Sequence, residues 1–359
     1  MSDQPGPGSS EDEPVSAERA DQLSLSGRLR QPRTIISILI PLAVIAVFVT
    51  INGEQLAKVP GLIARADLRL ATVAFLIFYA GFPLRGVRWM VLLRGTGTRV
   101  SARDSTEIIF LSWLVNCVVP AKLGDVYRAY LLKINSSASL SRTFGTVFIE
   151  RVLDLIAIAL LGIAAGYWSF RDGLPPAIQL IFAIGLIVVG VLTVGLFTMR
   201  NFGRRILTAL PLPPRVVEFY DRFEQGVFGA IALRQLPLLG GLTGSIWMTE
   251  ALRLFLVIQA FSFADVRVGV SGAVFVALIG SLLTAVPLSP AGLGIVEAGI
   301  VGVLTVSYGV PLAEATAIAL LDRVISVFSI IVIGSIAYLL SSKPRGLRAV
   351  VGPREPTSV

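Results

Sequence analysis

Apolar runs of about the length that crosses a membrane recur along this chain. Six segments are almost continuously apolar: 34–51, 70–93, 143–167, 178–199, 236–262 and 314–340. About 20 apolar residues in a helix, at about 1.5 Å per residue, cross about 30 Å of hydrocarbon. Only 15% of the residues are charged, against about 25% in soluble domains. The pattern predicts an all-α integral membrane protein.

The two ends of the chain differ from its middle. Residues 1–33 are rich in Ser, Pro, Gly, Asp and Glu and contain no apolar signal-peptide core, so we interpret them as a disordered cytoplasmic tail. Residues 34–340 form the predicted membrane domain, and 341–359 a basic cytoplasmic tail. The chain has one cysteine and no histidine. We therefore predict no intrachain disulfide, no metal site and no cofactor.

The net charge of +8 comes from basic residues that flank the apolar segments. This arrangement favours contact with lipid headgroups over nucleic acid, and it sets the orientation of the chain, because Lys and Arg accumulate in cytoplasmic loops. Segment 200–235 carries six arginines and is predicted to be a basic amphipathic connector on the membrane surface. The predicted location is the cell (plasma or inner) membrane, with both termini cytoplasmic.

Two further apolar regions, 108–133 and 270–308, are interrupted by proline and glycine. The first contains VVPAKLGDVYRAYLL at 118–132. If it crossed the membrane once, Lys133, Arg142 and the six-arginine connector would all lie outside, whereas a hairpin that returns to the cytoplasm places every basic segment inside. The same argument makes 270–308 a hairpin that opens outward. We predict six full spans and two re-entrant helical hairpins that enter from opposite faces.

The two interrupted regions resemble each other. PAKLGDV, starting at residue 120, matches PAGLGIV, starting at residue 290, at five of seven positions, and ERV and DRV follow 30 and 32 residues after the respective prolines. The units, about 108–167 and 270–340, form a predicted inverted repeat of the kind found in transporters; chance similarity is the alternative. The predicted hairpin tips are Pro120, Gly124, Pro290, Gly292 and Gly294.

Charged residues inside the apolar regions are costly and therefore mark candidate sites. Guanidinium and ammonium groups suit a phosphate headgroup, and the candidates for binding it are Arg85, Arg88, Lys122 and Arg128. The candidates for charge balance or coupling are Asp125, Glu150, Arg151, Asp154, Glu297, Asp322 and Arg323. Two alternatives stay open: Arg88 snorkels to the interface, and the acid–arginine pairs are purely structural. The four tryptophans are interpreted as interfacial anchors or packing residues.

In combination, GFPLRGVRWMVLL, VPAKLGDVYRAYLL, ERVLDL and LSPAGLGIVEAG resemble the lysylphosphatidylglycerol synthase transmembrane region, a flippase-like integral membrane family. The resemblance extends from about Thr34 to Leu340 and implies a lipid-translocating domain. It also implies a stand-alone member without the aminoacyltransferase domain, so we do not expect lysyl transfer. Asp125 stands where the family usually has glutamate.

These observations predict a flippase or transporter that moves an anionic or phosphate-bearing lipid headgroup through a cavity between the repeats, and not an enzyme. No GxxxxGK[ST] motif occurs, so we expect transport without ATP binding by this chain. The alternatives are a scaffold for a lipid-modifying enzyme and an integral-membrane transferase on a lipid-linked substrate. The predicted partner is a phospholipid or another phosphate-bearing lipid; a separate lipid-modifying enzyme and a second copy of the chain stay open.

Overall fold

The computed structural model describes residues 50, 53–119, 122–169, 176–209, 213–261, 268–284 and 289–345. Several predictions fall outside these residues: nearly all of the first span, the tail at 1–33, most of the tail at 341–359, and Pro120 at the first hairpin tip. Within the described parts of the chain the regular structure is helical and contains no strand. The predicted all-α class is therefore confirmed.

The helices are numbered in chain order. They are α1 (Gly53–Leu56), α2 (Val59–Ile63), α3 (Leu68–Gly95), α4 (Ala102–Val118), α5 (Leu123–Asn135), α6 (Leu140–Ser169), α7 (Pro176–Thr198), α8 (Arg204–Ala209), α9 (Pro214–Gly229), α10 (Leu236–Ala260), α11 (Val270–Thr284), α12 (Ile295–Tyr308), α13 (Leu312–Arg323) and α14 (Ser329–Leu340). The π-helical turn Met199–Gly203 joins α7 to α8, and Val324–Phe328 joins α13 to α14. A short 3₁₀ turn, Pro290–Gly292, precedes α12.

Five helical segments of the described chain are long and apolar enough to cross a membrane: Leu68–Gly95, Ala183–Gly203, Leu233–Ala260, Pro290–Tyr308 and Leu312–Leu340. The 30-residue α6 is also long enough, at about 1.5 Å per residue, to traverse the hydrocarbon layer. The chain is therefore an integral membrane protein with several apolar helices.

Local sequence explains where the central helices begin. The Asp67 carboxylate accepts hydrogen bonds from the backbone N–H groups of Arg69 (2.7 Å) and Leu70 (3.4 Å) and caps α3. The Ser101 hydroxyl accepts one from the N–H of Asp104 (3.0 Å) and caps α4. These side chains satisfy donors that the first helical turn cannot satisfy itself.

Helices α4 and α5 fold back on each other as hairpin 1 (102–135). Near its tip, the Gly124 N–H donates to Asn116 Oδ1 (2.8 Å). At its open end, Glu107 accepts from the Ser341 hydroxyl (2.6 Å), and Asn135 donates to the Lys343 carbonyl (2.8 Å). Both limbs therefore reach the same end of the molecule, the end at which α14 finishes.

Helices α11 and α12 form hairpin 2 (270–308). Gly299 lies against Leu283 near the tip, and Gly272 lies against Tyr308 at the open end. The hydroxyl of Ser271, at this open end, accepts from Ser169 (2.9 Å), the last residue of α6.

The segment Leu312–Leu340 connects the two open ends. A connection of three residues separates it from hairpin 2, and it finishes beside the base of hairpin 1. The hairpins therefore open toward opposite ends of the molecule. Descent of the two units from one inverted repeat stays a prediction.

The basic segments collect at the end where hairpin 1 opens. Gly95, at the end of α3, lies against Gly229 and Ala230 of the connector, and Gly145 of α6 lies against Gly226 of α9. The loop after α3, the arginine-rich connector and the end of α14 are thus brought together. This is the clustering that the charge pattern predicts for one membrane face.

The centre of the bundle is built on α3 and α10. The Asp67 N–H donates to the Ala260 carbonyl (2.6 Å), so the start of one helix meets the end of the other and the pair is antiparallel. Trp89 and Leu92 of α3 and Leu254 of α10 are almost completely buried. The two hairpins, α6 and α13 pack around this pair.

Candidate functional site

A polar cavity of about 210 Å³ lies at the centre of the bundle, where the two hairpin tips approach α3, α6, α10 and α13. Seven cationic and five anionic side chains line it: Arg85, Arg88, Lys122, Arg128, Arg151, Arg253, Arg323, Asp125, Glu150, Asp154, Glu250 and Asp322. All four predicted headgroup residues and six of the seven predicted charge-balancing residues are in this set. The seventh, Glu297, pairs with Arg323.

Arg88 lies at the centre of the ion-pair network on the hairpin 1 side. Its Nη1 donates to Asp154 Oδ1 (2.6 Å) and to the Thr243 hydroxyl (3.1 Å), and its Nη2 donates to Glu150 Oε1 (3.0 Å). Arg128 Nη1 donates to Glu150 Oε2 (3.1 Å). Arg88 is only 1% exposed, so the alternative that it snorkels to the interface is wrong.

A second network joins α10 to α3 and α13. Glu250 accepts from Arg85 Nη2 (2.6 Å) and from Arg253 Nη2 (3.0 Å). Arg253 also pairs with Asp322. These four residues are each no more than 7% exposed. Removal of one member of such a network leaves a buried charge without compensation.

The arginine of each acid–arginine pair contacts the hairpin that precedes it. Arg151 Nη2 lies 2.8 Å from Asp125 Oδ1 on hairpin 1, and Arg323 Nε lies 3.0 Å from Glu297 Oε1 on hairpin 2. Glu297 Oε2 also accepts from the Gly294 N–H (2.6 Å) at the start of α12. The two predicted units thus use the same kind of contact.

The acid of each pair contacts the central helix pair, and Glu150 also binds Arg128 of hairpin 1. Glu150 binds Arg88 of α3, and Asp322 binds Arg253 of α10. In chain order, each unit therefore has an arginine on a central helix, a hairpin, and an acid–arginine pair on the next span. In both units the acid binds an arginine of a central helix and the arginine binds a carboxylate of the preceding hairpin.

Lys122, at the tip of hairpin 1, is the exception among these cations. Its side chain makes no hydrogen bond or ion pair with any described residue. Its backbone is left-handed (φ 51°, ψ 37°), and Gly292 at the matching position of hairpin 2 also has positive φ (71°). A left-handed conformation costs a non-glycine residue roughly 1–2 kcal/mol. A long cation therefore occupies a position whose backbone favours glycine.

The other hairpin-tip glycines also have structural reasons. A Cβ on Gly124 would collide with the Ser112 carbonyl oxygen and the Asn116 side chain. Gly294 has φ 85°, and Pro290 begins the 3₁₀ turn before it. These residues permit close approach and tight turning, as the sequence predicts.

Several buried guanidinium nitrogens at the cavity have no hydrogen-bond partner among the described residues. They are Arg85 Nη1, Arg88 Nε, Arg128 Nε and Nη2, Arg253 Nε, and Arg323 Nη2. By contrast, all five lining carboxylates have arginine partners. Residues that line the cavity thus carry buried donors without a partner among the described residues, and unmet buried polar groups are costly.

Two of the tryptophans also contact the cavity, and Trp113 packs against the core as the sequence predicts. Trp113 and Trp247 line the cavity. The Arg85 guanidinium lies 4.8 Å from the Trp113 ring centre, and Trp247 Nε1 donates to Asp154 Oδ1 (3.2 Å). Helical spacing could have signalled this, because Trp247 precedes the intramembrane acid Glu250 by three residues and so shares its helix face.

Comparison with known proteins agrees with this architecture. The sequence profile described as "Lysylphosphatidylglycerol synthase TM region" matches residues 34–334. A UPF0104 membrane protein of Methanocaldococcus jannaschii is 37% identical over 227 residues, which cover 63% of this chain and 93% of that protein. A UPF0104 membrane protein of Methanothermobacter thermautotrophicus is 28% identical over 85% of this chain and 96% of its own length.

A third relative is larger. Glycosyltransferase AglD of Haloferax volcanii is 27% identical over 89% of this chain, and the match spans 56% of AglD. The profile match covers most of the present sequence and includes both hairpins and the acid–arginine pairs. The chain belongs to the lysylphosphatidylglycerol synthase transmembrane region family.

Proposed function

We propose that this protein is a lipid flippase or transporter, in which an anionic or phosphate-bearing headgroup passes through the central cavity while the acyl chains stay in the bilayer. One observation carries the proposal: Lys122, which makes no ion pair with a described residue, lines one cavity together with five arginines whose guanidinium groups have unmet donors. Phosphate oxygens accept hydrogen bonds from such groups, and guanidinium can bind them in bidentate fashion.

The ion pairs explain how the cavity can exist without a ligand. Each arginine there is held by at least one carboxylate, and Arg88 is held by two. An arriving phosphate would share these cations, and its departure would restore the pairs. A network that exchanges partners in this way avoids the large penalty of an isolated buried charge.

The opposed hairpins support a route with two entrances. Hairpin 1 opens toward the end that gathers the basic loops, and hairpin 2 toward the other end. We infer that the basic end is cytoplasmic, as Lys and Arg bias requires. The two tips would then close the cavity alternately from either side, as in transporters built from inverted repeats.

The test is lipid movement in proteoliposomes that contain purified protein and fluorescent phosphatidylglycerol. Lys122→Ala should reduce movement at least about tenfold, because it removes a cavity-lining cation that makes no ion pair with a described residue. Lys133→Ala is the matched control: it removes an exposed lysine from the same helix, outside the cavity. Thermal unfolding of both variants shows whether the fold survives.

The outcomes separate the competing ideas. Equal movement by Lys122→Ala and Lys133→Ala would remove the headgroup role of Lys122. Absence of movement in the wild type would contradict transport itself. Co-purification of a lipid-modifying enzyme with an inactive wild type would instead favour the scaffold.

A membrane transferase acting on a lipid-linked substrate is the second candidate, because one relative is named a glycosyltransferase. The match spans little more than half of that relative. The arginine pairing of all five lining carboxylates leaves none of them available as a general base without rearrangement. Product formation from a sugar nucleotide and a polyprenyl phosphate by the purified chain would favour this candidate over transport.

A further inference from the structure

Besides the charged side chains, serine and threonine side chains line the cavity, and the proposed function gives them no role. Ser281 and Thr284 of hairpin 2 line the cavity three residues apart, so they lie on one helix face, and Ser112 of hairpin 1 lines it from α4. The guanidinium groups come from other helices, namely α3, α5, α6, α10 and α13. The cationic and hydroxyl side chains of the lining thus come from different helices, and Ser281, Thr284 and Ser112 together are called the hydroxyl part of the cavity.

The hydroxyl hydrogens are already used. Ser281 donates to the Ala277 carbonyl (2.8 Å), Thr284 to the Ser281 carbonyl (2.7 Å), and Ser112 to the Ile109 carbonyl (2.7 Å). Each oxygen keeps lone pairs that can accept a hydrogen bond. The hydroxyl part of the cavity therefore calls for a ligand that donates.

The charged residues of the lining restrict which donor group the ligand can carry. Seven cationic side chains face five carboxylates in the lining, and every one of those carboxylates already binds an arginine. An ammonium group on the ligand would meet this cationic excess without a free carboxylate to pair with. Burial of such an unpaired charge is strongly unfavourable. A neutral hydroxyl has no such penalty.

We propose that the transported headgroup is a phosphate ester of a polyol or a sugar. Its phosphate oxygens accept from the guanidinium groups and Lys122, and its hydroxyls donate to Ser281, Thr284 and Ser112. This inference rests on the proposed function and deepens it. It excludes aminoacylated and ethanolamine headgroups as preferred substrates, although the family takes its name from an aminoacylated lipid.

The test is lipid competition by native mass spectrometry of the full-length protein in detergent. The probes share the same acyl chains: phosphatidylinositol, phosphatidylglycerol, phosphatidic acid, phosphatidylethanolamine and lysylphosphatidylglycerol. We expect the inositol and glycerol lipids to be retained about threefold to tenfold over phosphatidic acid, which carries phosphate without headgroup hydroxyls, since each added neutral hydrogen bond has about that effect.

The results distinguish the two levels of the proposal. Equal or stronger retention of phosphatidic acid, or preference for the lysyl lipid, would overturn the polyol inference and leave transport of a phosphate-bearing lipid standing. Retention of none of these phosphate-bearing lipids would contradict the proposed function as well.

The variant Thr284→Val tests whether the preference for the inositol lipid over phosphatidic acid arises at the hydroxyl part of the cavity. It should lower the ratio of inositol lipid to phosphatidic acid about threefold and leave retention of phosphatidic acid unchanged. Thr305→Val is the matched control, because Thr305 bonds two backbone carbonyls of its own helix as Thr284 does, but it lies outside the cavity lining. An unchanged ratio in Thr284→Val, or an equal fall in Thr305→Val, would contradict the assignment.

Discussion

Hairpins 1 and 2 share a backbone conformation at their tips but place different side chains there. Both turn through a residue with positive φ at matching sequence positions, Lys122 and Gly292, and both are held by an arginine of the following span. Hairpin 1 places Lys122 and Arg128 at the cavity, whereas hairpin 2 contributes hydroxyls and small residues there. The comparison teaches that a shared fold of the tip does not imply a shared role: hairpin 1 brings charge and hairpin 2 brings neutral hydrogen-bonding groups.

The largest expected difference between the hairpins concerns their carboxylate partners. Glu150→Ala leaves Arg88 and Arg128 without their shared acceptor and should lower the free energy of unfolding by about 3–5 kcal/mol. Glu297→Ala, on hairpin 2, removes the partner of one arginine, Arg323, and the acceptor of the Gly294 N–H. Because the Glu297 side chain is 19% exposed, the loss should be about 1–2 kcal/mol. Thermal unfolding of both variants in detergent is the measurement. An equal loss of stability in the two variants would contradict this difference between the hairpins.

Close packing at the tip gives the next largest effect. Gly124→Ala places a methyl group against the Ser112 carbonyl and Asn116 and should destabilise the protein by about 1–3 kcal/mol. Gly302→Ala, in hairpin 2, meets nothing within 4 Å and should be neutral or slightly stabilising, since alanine favours helix. Melting temperatures provide the measurement. A stable Gly124→Ala protein would show that the limbs of hairpin 1 can separate.

The left-handed tip of hairpin 1 gives a smaller effect of the opposite sign. Lys122→Gly makes this position like Gly292 and should stabilise the protein by about 0.5–1 kcal/mol, because glycine adopts positive φ without steric cost. Lipid movement should fall at the same time. A melting temperature that rises while transport falls would show that lysine is kept for its charge; a loss of stability would contradict the strain argument.

The smallest effect belongs to the open end of hairpin 1. Lys343→Met removes the ion pair with Asp104 and should cost about 1 kcal/mol or less, because the pair lies partly in contact with solvent. Hydrogen exchange should speed up in α5 and stay unchanged in α12, whose base joins α13 through a three-residue connection. Equal changes in both helices would indicate global loosening instead.

Much of the fold followed from the sequence because the bilayer imposes simple rules. Apolar length identifies spans, and helix is the accessible conformation within them. The pairing of α4 with α5 followed from PAKLG and from the positions of Lys133 and Arg142, and the structure shows both limbs returning to one end. Intramembrane charges such as Arg85 and Glu150 stood out because lipid penalises them.

Tertiary structure decided which charges meet and which stay available. Sequence spacing places Glu150 and Asp154 on one helix face, but it says nothing about Arg88 of α3, which binds both. Nor does it show that Trp113 and Trp247, or Ser281 and Thr284, line the cavity. The physical reason is that charge, hydropathy and turn chemistry are local to the chain. The partner of a buried polar group, by contrast, depends on which distant helices pack together.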